Sequence, residues 1–150
     1  MNDLHSVQKG PHLAIAVFCE NVLEDKNGVL SIIRIIDRIN LSAGVEAPEE
    51  MPTFPLNLKA VVSVKSGFLK GKYLIRVKAI APSGNELPVV DLPVLLEGDD
   101  RGTNLVLNIS ILVKEEGLYW FDVLIEELLL TRMPLRILYQ RFAGGVSQKP

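Results

Sequence analysis

The chain has 150 residues, 48% of them hydrophobic, with 16 basic and 18 acidic side chains, one cysteine and two histidines. A single domain of this length buries about 70% of its unfolded surface, so its core needs no metal or disulfide staples. The net charge of −2 is scattered, which disfavours nucleic acid and anionic membrane as partners. No apolar run reaches the roughly 18 residues of a spanning helix.

The start Met1-Asn2-Asp3-Leu4-His5 has neither a basic nor an apolar leader region, and lone Cys19 has no internal disulfide partner. A cytoplasmic location is expected. The expected organisation is one domain over 12–142, with an N-terminal arm over 1–11 and a flexible tail over 143–150.

The apolar residues come in short, alternating blocks separated by Gly, Pro, Asn and Asp, which predicts strands. His12 to Cys19 is apolar on both parities, as in a central strand. Glu24-Asp25-Lys26-Asn27-Gly28 predicts a hairpin turn, because Asn-Gly adopts positive φ cheaply. Val29 to Leu41 is rich in β-branched residues and predicts one further strand.

Ser42 to Pro55, with Pro48, Pro52 and Pro55, predicts the longest loop. Leu56 to Val64 and Lys72 to Ala81 alternate as two strands, and Gly67 to Lys72 between them reads as a hairpin turn. Pro88 and Pro93 make Glu86 to Leu96 an edge strand. A polar loop is expected over Glu97 to Gly102, followed by strands over Thr103 to Lys114, Leu118 to Glu126 and Leu128 to Tyr139. About eight short strands without an amphipathic helix predict an all-β fold, an antiparallel β-sandwich, with a barrel as the alternative.

Phe18-Cys19-Glu20 closing one strand, Gly28-Val29-Leu30-Ser31-Ile32-Ile33 opening the next, Gly117-Leu118-Tyr119-Trp120-Phe121 and Pro134-Leu135-Arg136 together resemble a family of small uncharacterised prokaryotic proteins. That resemblance implies an immunoglobulin-like or related sandwich, with no assigned chemistry and no functional residues to carry over.

Catalytic patterns are poorly supplied. A histidine-based triad would have to draw on His5, in the arm, or His12, at a strand entry. Cys19 ends an apolar strand and reads as a buried small hydrophobe. Structural zinc lacks paired ligand spacing. Glu97, Asp99 and Asp100 crowd one turn, where a hard cation is conceivable, but a solvated turn is the simpler reading. Gly67-Phe68-Leu69-Lys70-Gly71-Lys72 lacks the spacing of a phosphate loop. No catalytic, cofactor or metal residues are therefore assigned, and no enzyme activity is expected.

A sandwich has one dry face per sheet, so apolar side chains on both parities call for cover. Ile32, Ile36, Trp120, Leu124, Leu128 and Leu130 form the candidate interface on this reasoning. The expected role is a non-enzymatic protein-interaction or assembly module, homo-oligomeric through an apolar sheet face. The alternative is a sandwich that binds a small molecule or carbohydrate.

Overall fold

The computed structural model describes residues 9–142. The expected tail and most of the arm, including His5, lie outside the described residues. Seven strands form: β1 (His12–Glu24), β2 (Leu30–Ile36), β3 (Arg38–Ala43), β4 (Phe54–Ile80), β5 (Glu86–Val113), β6 (Gly117–Ile125) and β7 (Leu128–Arg141). Their order is β2-β1-β4-β6-β7-β3, with β5 paired to β4. All ladders are antiparallel except that of β3 with β7. The fold is an antiparallel β-sandwich built from one sheet that turns back on itself.

The turning is done by β4 and β5. A strand of 27 residues would run about 90 Å if straight, at ~3.3 Å per residue, far beyond a domain of this size. The β4–β5 ladder instead shifts register between Lys65 and Lys70, and strands that bend in this way make the corners of sandwiches. Before the bend β4 pairs with β1, from Lys59 to Lys65. After it β4 pairs with β6, from Ile75 to Ile80. One layer is therefore β2-β1-β4-β5 and the other is β5-β4-β6-β7-β3.

The inward positions confirm the corner. In β4 they are Leu56, Leu58, Ala60, Val62 and Val64 before the bend, and Ile75, Val77 and Ala79 after it. β5 switches parity likewise, from Val94 and Leu96 to Leu105, Leu107 and Ile109. The layers meet where Phe18 of β1 packs edge-on against Phe121 of β6, with ring centroids 4.9 Å apart and planes at 71°.

Three expectations are corrected. Gly67 to Lys72 is not a hairpin turn and Glu97 to Gly102 is not a loop; they are the two sides of the corner, and the ladder resumes past both. Two expected strands become β4, and two more become β5. Val29 to Leu41 is not one strand either. Ile36 still pairs with Phe18 in one layer, whereas Arg38 pairs with Arg136 in the other, so the run changes layers at Asp37. Only Gly28 of the Asn27-Gly28 pair takes positive φ, at 79°, while Asp25 Oδ1 accepts hydrogen bonds from the amides of Asn27 and Val29.

Gly67 has φ of 59°, and a Cβ there would collide with the carbonyl of Lys9. That carbonyl accepts a hydrogen bond from the Phe68 amide at 2.7 Å, so the segment before β1 crosses the corner closely. Gly67→Ala is expected to lower stability by more than the ~1–2 kcal/mol of a left-handed alanine. Phe121→Ala should cost about 3–5 kcal/mol through the cavity it leaves. Both are read from the urea midpoint, with the slope of the transition unchanged.

Candidate functional site

Cross-strand partners point to the same side of a sheet, so the register assigns each side chain to a face. In the layer β2-β1-β4-β5 the outward positions form rows. Val17, Val61 and Val106 make one; Ile35, Cys19, Lys59 and Asn108 make the next; Ile15, Ser63 and Asn104 lie on the other side of the valines. Ile15 is 41% exposed, Ile35 65%, Val106 37% and Leu112 51%. The polar positions are mainly neutral: Ser63 Oγ donates to Asn104 Oδ1 at 2.6 Å, and Lys59 Nζ donates to Asn21 Oδ1 at 3.1 Å. Among the described residues, Lys59 and Lys65 carry the formal charge on this face.

The outward face of the other layer is different. Arg132 and Asp122 pair at 2.7 Å and Arg76 and Asp91 at 3.0 Å, and Lys78 lies opposite Asp122. Trp120, between Ile80 and Pro134, has the Arg132 guanidinium 6.0 Å from its ring centroid. The hydrogen bonds and charge of Asp122 hold the Arg132 guanidinium above its already high ordinary pKa.

The six residues expected to form one surface are not brought together. Ile36 is the register partner of Phe18 and Ile32 that of Val22, so both lie on the inward side of β2, half-buried. The outward residues of β2 are Ile33 and Ile35. Alternation alone separates these two sets, but the partner strand decides which set is inside. Trp120 and Leu124 lie on the charged face. Leu128 is exposed beside the β6–β7 turn, and Leu130 packs partly against the core.

Clefts among the described residues include two of similar volume. One, of about 440 Å³, opens between the end of β4, the start of β5 and the end of β5, and is lined by Leu87, Ile111, Ser83, Asn85, Glu115 and Tyr119. Two of its polar contacts are internal: the Tyr119 hydroxyl donates to the Glu115 carbonyl at 2.7 Å, and the Ser83 amide donates to Glu115 Oε1 at 3.0 Å. The other, about 460 Å³, is lined by Glu49, Glu116, Tyr139 and Arg141, where Arg141 Nη1 donates to the Ala47 carbonyl at 3.2 Å. Glu97 pairs with Arg101 at 3.2 Å. Among the described residues, no three His, Cys, Asp or Glu side chains are grouped to hold a metal ion, and no helix is long and apolar enough to cross a membrane.

The model of a family of unknown function, DUF6941, matches residues 14–138. The chain belongs to this family. That agrees with the resemblance carried by the strand-end and turn motifs, which fall within the DUF6941 match. No curated protein matches the chain. Among solved structures, a beta-glucosidase from Listeria innocua in complex with glucose is similar at 12% identity and a TM-score of 0.46, over 69% of this chain and 15% of that one. An immunoglobulin-like protein from Pseudomonas aeruginosa is similar at 11% identity and a TM-score of 0.40, over 87% of this chain and 98% of that one. The chain thus spans 15% of the length of that glucosidase.

Cys19, on the outward parity between Ile35 and Lys59, is fully buried. Burial pushes its thiol pKa up, partly offset by Lys59. A thiol reagent is expected to modify Cys19 only when denaturant unfolds the chain, and stoichiometric labelling of the native protein would contradict this. Burial likewise pushes the Tyr119 phenol up, more than its hydrogen bond to the Glu115 carbonyl lowers it. The folded state thus holds that proton more tightly. Its contribution is full below the ordinary phenol value near 10 and is lost as pH rises through it toward the folded value. Alkaline titration of stability should show this loss reduced in Tyr119→Phe.

Proposed function

We propose that the chain is a non-enzymatic assembly module that self-associates through the outward face of the layer β2-β1-β4-β5. The observation that carries this reading is the unequal charge of the two outward faces. Protein interfaces are depleted of charge at their centres, and here uncharged Val17, Val61 and Val106 make the middle row, Val61 already buried and Val106, Ile15 and Ile35 exposed to meet a partner. The opposite face carries paired ions suited to water.

A second copy is the occupant favoured by the chemistry. A two-fold contact sets residues near its axis against their own copies, so clustered charge of one sign there is self-repelling. Neutral valine, serine and asparagine have no such conflict. Lys65 lies toward the rim, opposite Gly102, and the Lys59 amine is turned aside to Asn21. The nine residues from Ile15 to Leu23 across four strands give roughly 600 Å² of projected sheet, approaching the ~800 Å² each partner contributes to a standard interface.

Light scattering over a concentration series tests the reading. An oligomer is expected; Ile15→Lys and Ile35→Lys should lower its mass, while Trp120→Lys, on the charged face, should leave it unchanged. A monomer at every concentration overturns the proposal.

A further inference from the structure

We infer that the free edge of β5 between Thr103 and Val113 pairs antiparallel with the same segment of a second copy, with Asn108 on the two-fold axis. This rests on the self-association reading and adds a second contact to it: the four-stranded layer continues into that of its copy, and the joined outward faces stay open for the face contact.

The argument begins with the edges. Among the described residues β5 pairs with β4 alone, so its other side presents backbone amides and carbonyls that no described strand pairs. Open edges are usually guarded by proline, charge, irregularity or shortness. The first half of β5 carries Pro88 and Pro93. The β2 edge is interrupted by Arg34, at φ of 56° and paired to Glu20 at 2.8 Å. β3 is only six residues long. Thr103 to Val113, Thr-Asn-Leu-Val-Leu-Asn-Ile-Ser-Ile-Leu-Val, has no proline, glycine or charge. It is the unguarded edge among the described residues.

Its composition favours its own copy. In an antiparallel pair about a two-fold axis, like charges near the axis meet each other, and here the flanking charges begin only at Arg101 and Lys114. Asn108 is the midpoint of the segment, and its amide is both donor and acceptor, so two copies complement each other. In that register Leu105 faces Ile111 of the second copy and Leu107 faces its Ile109, which extends the inward apolar rows. Because the axis is normal to the sheet, both uncharged faces point the same way. The joined layers then offer the face contact of the proposed function roughly twice the projected area, past that of a standard interface.

Cysteine cross-linking tests this in the full chain, since the native thiol is buried. Opposed residues in an antiparallel pair have Cα atoms ~4.5–5.5 Å apart, within disulfide reach. Asn108→Cys should therefore oxidise to a linked dimer at least tenfold faster than Asn104→Cys, whose copies would lie roughly 27 Å apart. Amides of Thr103 to Val113 that point away from β4 should exchange at least tenfold more slowly in the oligomer than in diluted monomer. Asn108→Lys should lower the oligomer mass. If the wild-type chain is a monomer, the reading and the inference both fail. If it is an oligomer whose Asn108→Cys form does not link and whose segment amides exchange as in the monomer, the edge pairing is overturned while self-association stands.

Discussion

A hairpin whose two strands are 27 and 28 residues long has to fold across its own middle, and the rest of the architecture follows from that constraint. One ladder supplies strands to both layers, so the layers are joined through hydrogen bonds rather than only through side chains. The cost is concentrated in a few residues. Gly67, Gly71, Gly98 and Asp99 take positive φ, and the Ser66 hydroxyl donates to the Arg101 carbonyl at 2.6 Å across the corner. The parity change on both strands keeps the apolar rows inward on either side of it, and Phe18 and Phe121 close the space between.

The two outward faces are solvated by different means. On the β6–β7 side, ion pairs cover apolar surface, and Arg132 serves both Asp122 and the Trp120 ring. On the β1–β2 side, neutral amides and hydroxyls alternate with isoleucine and valine. Each choice is compatible with folding, because neither disturbs the inner rows. The difference is the physical basis of the proposal that one of them meets a second copy.

Much of this was legible in the residue pattern. Alternation picks out Leu105, Leu107, Ile109, Tyr119, Phe121, Val123, Leu135 and Ile137, all buried. The prolines mark the first half of β5 as an edge. What period two does not distinguish is a bulge from a turn, since Gly67 to Gly71 and Glu97 to Gly102 break the alternation with the same glycines and charges that a reversal uses. Nor does it choose a face. Ile32 and Ile36 differ from Ile33 and Ile35 only by one step, and the opposing Phe18 settles which pair turns inward. The charge asymmetry between faces was hidden for the same reason. It becomes visible only when Ser63, Asn104, Asn108 and Val61, distant in the chain, are set side by side.

Asp37 joins the edge strand of one layer to the edge strand of the other, and its carbonyl accepts from the Arg136 amide at 3.4 Å. Because Ile36 and Arg38 are committed to different ladders, the link has no slack. Fraying that begins at either margin is transmitted to the other through a single peptide unit, so the two borders of the molecule loosen as one mechanical unit.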